Sequence, residues 1–312
     1  MKEIVIISGK GGTGKTSITA SFASFAATKA VLADCDVDAA DLHLILKPVI
    51  RNRTEFRSGY KATIKLDKCT GCGKCLELCR FEAVRDVTTW DKFPGIIYTI
   101  DPVACEGCGV CVRFCPSQAI DFNEEICGEW FISDTRFGPM VHAKLGIASE
   151  NSGKLVTLVR KEARRIAQEK GAEYVLIDGS PGIGCPVIAS LTAASLALIV
   201  TEPTVSGVHD LRRIAMLTKK MGIPAMVCIN KWDINQSITE EIRQITDSLG
   251  LQFAGLLRYD KAVTASQRQQ KTLPEYSSEG VVRDVMNVWE CVVGAAEQKG
   301  FKKGIDHNGN EH

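Results

Sequence analysis

The chain opens "MKEIVIISGKGGTGKTS" (residues 1–17). An apolar, β-branched run, Ile4–Ile7, breaks at Ser8 into a glycine-rich turn that ends in Lys15 and Thr16 and leads into a helical stretch. Strand, turn and helix in that order satisfy G-x-x-x-x-G-K-[ST] through Gly9, Gly14, Lys15 and Thr16, in the local context that gives the motif meaning. The backbone N–H groups of Gly9, Gly11, Gly12, Thr13 and Gly14 can turn inward around phosphate oxygens, and the helix N-terminus adds its partial positive charge. Lys15 is then placed for the β- and γ-phosphates, Thr16 for Mg²⁺, and Ser17 at the edge of the same cradle.

Working outward, apolar strands keep alternating with amphipathic helical stretches: "VLADC", "YVLID", "LALIVT" followed by a helix near Asp210, "AMVCIN" and "FAGLLR". This predicts an α/β fold with a doubly wound, mostly parallel sheet. Carboxylates fall at strand ends, where ligands of open α/β sheets sit: Asp34, Asp36 and Asp38 in "ADCDVDAADL", and Asp178 in "YVLIDGSPGIG". The alternation stops near Lys47 and resumes near Val156. Residues 58–123 therefore read as an insertion in a discontinuous domain made of 1–57 and 124–312, and what remains between Asp36 and Asp178 leaves room for about two βα units.

The insertion is a repeat. "CTGCGKCLELC" (69–79) is answered thirty-six residues later by "CEGCGVCVRFC" (105–115), each preceded by strand-like residues, so two half-domains about a pseudo-twofold axis are expected. Cys₄ zinc sites also use C-x₂-C pairs. A doubled set of eight with this spacing favours iron–sulfur ligation, because C-x₂-C-x₂-C-x₃-C is the run of bacterial two-cluster ferredoxins. That resemblance implies two [4Fe–4S] clusters with the fourth ligand exchanged: Cys69, Cys72, Cys75 with Cys115, and Cys105, Cys108, Cys111 with Cys79. Pro116 follows Cys115 as the pattern expects, but Arg80 follows Cys79, so the two potentials are expected to differ.

Composition sets the other limits. A net charge of +1, 6% aromatic residues and no polybasic run lack the footprint of a nucleic-acid binder. No apolar stretch reaches the roughly 20 residues needed to span a bilayer, and the N-terminus does not read as a signal peptide, so stable membrane insertion is not expected and a cytoplasmic location is. Thirteen cysteines at such an address point to metal ligation rather than disulfides. Of those outside the repeat, Cys35, Cys228 and Cys291 read as small core residues, leaving Cys127 and Cys185. The amphipathic "VVRDVMNVWECVVGAAEQKG" reads as a last packed helix.

"KGGTGKT", with Lys10 inside the loop, resembles the deviant phosphate loop of the MinD/Mrp/ParA ATPases and the nitrogenase iron protein. In that family the extra lysine crosses a nucleotide-sandwich dimer to the partner's phosphates. By the same resemblance Asp36 matches the switch aspartate that orients the attacking water, Asp178 the Walker-B residue that binds Mg²⁺ through water, and Gly182 the second switch. Asn230 in "VCINKWD" matches the residue that reads adenine, although N-K-x-D also resembles a guanine-reading motif with Asp233 in the reading position. Cys185 lies in the neighbourhood where the iron protein has a ligand to a bridging cluster, and Cys127 is the available second donor, although nothing in the spacing pairs the two.

The whole chain is similar to MinD-superfamily P-loop ATPases with an inserted ferredoxin domain. This implies ATP/ADP and Mg²⁺ at the loop, catalysis by Lys10, Lys15 and Asp36, and a homodimer or a heterodimer with a paralogue. Hydrolysis is expected to be coupled to electron transfer through the clusters to a redox or metallocofactor partner protein. A metal-cluster assembly or carrier ATPase is the second expectation. A ParA/MinD-like spatial organiser with redox-sensing clusters is the third, disfavoured by the missing basic face and membrane helix.

Overall fold

The computed structural model describes residues 1–87, 97–146 and 152–298. Its strands are β1 (Lys2–Ser8), β2 (Ala30–Asp34), β3 (Val49–Ile64), β4 (Val84–Val87), β5 (Ile97–Ile100), β6 (Ile120–Thr135), β7 (Gly138–Leu145), β8 (Tyr174–Pro181), β9 (Leu196–Thr201), β10 (Ala225–Asn230) and β11 (Gln252–Leu257). Its helices are α1 (Lys15–Ala26), α2 (Leu42–Leu46), α3 (Lys74–Leu78), α4 (Val110–Arg113), α5 (Ser152–Lys170), α6 (Cys185–Leu191), α7 (Val205–Lys220), α8 (Gln236–Ser248), α9 (Lys261–Arg268), α10 (Leu273–Tyr276) and α11 (Val281–Glu297).

One sheet runs in the order β11-β10-β9-β1-β8-β2-β7-β6-β3. From β11 to β7 the pairings are parallel, with β1 bonded to both β8 and β9. Strands buried on both faces are near-continuous apolar runs, and Ile4–Ile7 is wholly buried. Alternate residues feed opposite faces. Ile4, Ile6, Leu32, Leu176 and Leu198 point into a core shared with Phe22 of α1 and with Val285, Val288 and Val292 of α11. Trp289 covers its edge, its ring 5.0 Å from that of Phe22. Truncating a side chain as buried as Phe22 to alanine costs about 3–5 kcal/mol. Lys299 and Gly300, at the end of the amphipathic stretch, lie outside the described residues.

Two compact units emerge. The first contains Met1–Thr54, Glu129–Leu145 and the chain from Ser152 onward; the second contains Glu55–Gly128 with Gly146. The sequence placed the boundaries at 58 and 123 and expected two βα units beside the insertion. Instead the chain leaves the first unit along the sixteen-residue β3 and returns along the equally long β6. β7 then follows β6 through a two-residue connection, a hairpin that needs no crossover helix. Among the described residues α5 alone supplies the expected helical return, and the sheet is extended by long strands rather than by a second βα unit.

The second unit repeats itself. Cys69 N–H bonds to the Lys65 carbonyl at 3.0 Å, and Cys105 N–H to that of Asp101 at 3.0 Å. The halves also exchange bonds, Lys65 N–H to Ala119 O and Asp101 N–H to Ala83 O, each at 2.7 Å. Matching left-handed turns occur at Gly73 and Gly109, both with φ 72°. A small core of Ala62, Ala83, Cys105 and Ile120 carries Cys75, Cys79, Cys111 and Cys115 against it.

Candidate functional site

The turn after β1 is shaped by close approach. Gly14 has φ 95°, a left-handed conformation, and a Cβ there would lie 2.5 Å from Asn230 Nδ2. At Gly9 an added Cβ would meet that of Asp210 at 2.2 Å, so both positions require glycine. Nothing lies within 4 Å of the Cβ positions of Gly11 and Gly12, which face an open cleft. That cleft, about 1060 Å³ with its solvent, is lined by Gly11, Gly12, Gly14, Lys15, Thr16 and Ser17 of the loop and the start of α1. Asp36, Asp41, Leu44, Ile45, Pro181 and Gln267 also line it.

Beneath the loop lie two buried carboxylates, paired in register across β2 and β8: Asp34 and Asp178. Asp34 accepts the N–H groups of Asp36 and Leu42, each at 3.2 Å, so it shapes the turn that carries Asp36. Burial and then the Asp178 charge hold Asp34 well above the usual carboxylate range. Burial also raises Asp178, opposed by the Thr16 hydroxyl and by Lys15. Thr19 donates to Asp178 Oδ1 at 3.3 Å, while Oδ2 is buried with no partner. An orphaned carboxylate oxygen beside a phosphate loop leaves buried lone pairs that a cation or its bound water would satisfy. Asp36 is half-buried on the cleft wall, raised first by burial, lowered by Lys15 and raised again by Asp38 and Asp41. Of the three candidate aspartates, Asp34 is committed to backbone bonds, Asp36 faces the cleft, and Asp38 is exposed.

The remaining loop residues are held from neighbouring strand ends. Gly182 N–H bonds to Ser8 O at 2.9 Å, tying the segment after β8 to the base of the loop. Asn230, at the end of β10, donates its amide to Thr13 O at 2.8 Å. Asp233 accepts the N–H of Tyr259 at 2.7 Å. The Lys10 ammonium is ion-paired with Glu202 and donates to Thr204 Oγ1 at 3.2 Å and Ser206 Oγ at 3.1 Å. Glu202 also holds Lys231 at 3.1 Å. Burial works against the Glu202 charge, but hydrogen bonds from Lys10 and Lys231 prevail and keep its carboxyl below the ordinary range. Glu202 and Gln267 were not singled out in the sequence. Glu202 had a usable signal, since it follows the buried strand "LALIVT"; Gln267 had none.

The chain matches the family described as "CobQ/CobB/MinD/ParA nucleotide binding domain" over residues 4–273. It belongs to that family. It is 33% identical over 236 residues to an uncharacterized protein of Methanocaldococcus jannaschii, covering 75% of this chain and 79% of that one. It is 24% identical over 284 residues to a putative septum site-determining protein MinD of Oltmannsiellopsis viridis, covering 87% and 69%. The fold resembles septum site-determining protein MinD of Pyrococcus horikoshii, a structure complexed with Mg-ADP, at TM-score 0.56 and 17% identity over 95% of this chain and 97% of that one. These likenesses concern the MinD/ParA-type fold; any iron–sulfur function rests on the cysteines alone.

In the second unit, Cys69, Cys72, Cys75 and Cys115 line one small cavity with Tyr98 and Ser117. The Cys115 sulfur accepts the N–H of Ala119 at 3.3 Å and lies 3.6 Å from Ser117 Oγ. Among the described residues no group of three or more His, Cys, Asp or Glu side chains is arranged to hold a single metal ion. Cys35 and Cys228 are buried as expected. Cys291 is exposed, against expectation: the apolar stripe of α11 runs through Val288 and Val292, and Cys291 falls beside it. Cys185 is exposed, while Cys127 is buried with its thiol donating to Ser58 O at 2.8 Å. Among the described residues no helix is long and apolar enough to cross a membrane.

Proposed function

We propose that this chain binds Mg·ATP in the cleft beside the glycine loop, dimerises across the nucleotide and hydrolyses it, as a switch of the MinD/ParA type. The observation that carries the reading is the unpartnered, buried Asp178 Oδ2 next to Thr16. Thr16 directly and Asp178 through water would hold Mg²⁺, which supplies charge neutralisation at the phosphates. Lys15 lies buried at the loop and stabilises negative charge developing on the γ-phosphate; Lys10, delivered from a second subunit, adds to it. Asp36 aligns the attacking water, Gly182 follows the γ-phosphate as the second switch, and Asn230 takes the adenine while its amide braces the loop. The test is phosphate release from ATP with Mg²⁺, which Lys15→Ala should abolish; equal turnover by that variant defeats the reading.

The second unit, residues 58–123 in the sequence, is proposed as a ferredoxin-like carrier of two [4Fe–4S] clusters. A cube binds each thiolate at a different iron, so its four sulfurs need not converge on one point as they must for a single ion. What supports the assignment is that Cys115, from the second run, lines a cavity with Cys69, Cys72 and Cys75 from the first. By the repeat, Cys79 completes the set of Cys105, Cys108 and Cys111. Iron and sulfide analysis of anaerobically purified protein tests this, and zinc in their place overturns it.

For the use of those clusters, likeness to proteins named MinD favours a ParA/MinD-like organiser with redox-sensing clusters over electron delivery. The sequence ranked these the other way, because it shows neither a basic face nor a convincing membrane helix. A carrier role through a bridging site at Cys185 is weakened by the burial of Cys127. ATP turnover measured with oxidised and reduced protein separates the leading two. A redox-dependent rate without net electron transfer supports sensing, and ATP-dependent reduction of an added acceptor supports delivery.

A further inference from the structure

Gln267 stands on the last turn of α9 and lines the cleft that the glycine loop forms. Its Nε2 donates to Ser17 Oγ at 2.7 Å. Ser17 is the third residue of α1, directly after Thr16, and also lines the cleft. A serine hydroxyl has one proton to give and two lone pairs to fill, and the Gln267 amide occupies one of those lone pairs. A helical serine ordinarily turns its proton back to the carbonyl four residues earlier. Here that carbonyl, Thr13 O, already accepts the Asn230 amide at 2.8 Å. With one lone pair held by Gln267, the Ser17 hydroxyl keeps its proton for an acceptor in the cleft, where the first turn of α1 already favours an anion.

We propose that Gln267 is a positioning residue for the nucleotide: it holds the Ser17 hydroxyl as a donor to the α-phosphate. The inference rests on the nucleotide-binding reading of this cleft. The phosphate follows from division of labour, since Lys15 serves the β- and γ-phosphates and Thr16 the metal, leaving the next residue along the helix for the α-phosphate. Because ATP and ADP both carry that phosphate, the gain is uniform binding and should appear in affinity rather than in the chemical step.

The experiment measures ATP and ADP affinity, KM and kcat for wild type, Gln267→Ala, Ser17→Ala and the double variant, with the thermal midpoint of the nucleotide-free protein as a folding control. Gln267→Ala is expected to weaken ATP and ADP by the same factor, roughly five- to tenfold, with kcat changed far less. The double variant should be no weaker than Ser17→Ala alone, since the two residues act as one unit. Gln267→Glu should be worse than alanine, because its carboxylate takes the Ser17 proton and adds negative charge. Unchanged affinity in Gln267→Ala, or losses that simply add, overturns the proposal. If Gln267→Ala fails to fold, Gln267→Glu carries the test, and its binding as well as wild type overturns it. Failure of wild type to bind ATP, with Lys15→Ala indistinguishable from it, would instead remove the nucleotide reading itself.

Discussion

Lys10, the second lysine of the phosphate loop, is ion-paired with Glu202, the residue after β9. Thr204 and Ser206 take the rest of its ammonium donors, so in a single chain the side chain is docked rather than solvated. To reach a nucleotide in a second subunit it must leave this site. The pair is only partly buried, so its hold is about 1 kcal/mol or less, up to about fivefold in an equilibrium. Glu202→Gln is therefore expected to strengthen ATP-dependent dimerisation by a few-fold, and Lys10→Ala to abolish it while ATP binding persists. Sedimentation with a non-hydrolysable ATP analogue checks both; a Lys10→Ala protein that still dimerises refutes the trans role.

Asp178 gives a stability–function opposition. Its buried Oδ2 has no partner, and burial raises its pKa, so the nucleotide-free fold carries an unfavourable charge. Asp178→Asn should raise the thermal midpoint of the nucleotide-free protein, by about 1 kcal/mol or more in stability, while reducing Mg²⁺-dependent hydrolysis at least a hundredfold. A variant that is both less stable and still active would contradict the role given to this residue.

His142 supplies a pH window. Its Nε2 shares a hydrogen bond with Ser133 at 2.9 Å, and its ring stacks on Phe131 at 4.9 Å and faces His43 at 6.2 Å. Burial, then the neighbouring His43, pushes it down to about 4 from an ordinary 6.5. Above pH 6.5 the imidazole is neutral folded or unfolded, and nothing changes. As pH falls from 6.5 to about 4 the unfolded chain binds a proton that the folded one refuses, so stability drops, by about 3 kcal/mol in all. His142→Asn should flatten that decline in denaturant titrations between pH 7 and 4.5; an equally steep decline would rule it out.

For the cysteine unit, the proposed exchange of ligands between two clusters predicts which one a single substitution removes. Cys115→Ala should halve the iron from about eight atoms per chain and destroy the cluster on Cys69, Cys72 and Cys75, leaving that of Cys105, Cys108 and Cys111. EPR of the reduced variant should then lose the magnetic coupling between neighbouring clusters. Loss of the Cys105 cluster instead would mean that each run keeps its own fourth ligand.

Much of this molecule was legible along the chain. Ile4–Ile7 and the buried runs ending at Asp34, Asp178 and Asn230 announce parallel strands, because a strand covered on both faces has no polar alternation to maintain. Gly9, Gly14, Lys15 and Thr16 announce the loop, and the doubled cysteine spacing announces the repeat, since both are short-range patterns in which backbone geometry and ligand spacing are local. Other features required the fold. Asp34 and Asp36 are two residues apart and chemically identical in sequence; only burial against Asp178 separates the residue that shapes the turn from the one that faces the cleft. Lys10 meets Glu202, Ser17 meets Gln267, and Asn230 braces Thr13 across gaps that no periodicity encodes. The long β3 and β6 replaced an expected βα unit, and Cys291 fell beside the apolar stripe of its helix rather than within it. Local pattern fixes which elements form, because it acts through the backbone of neighbouring residues. Tertiary packing decides which side chains share a site, because it sets their distance, solvent and charge.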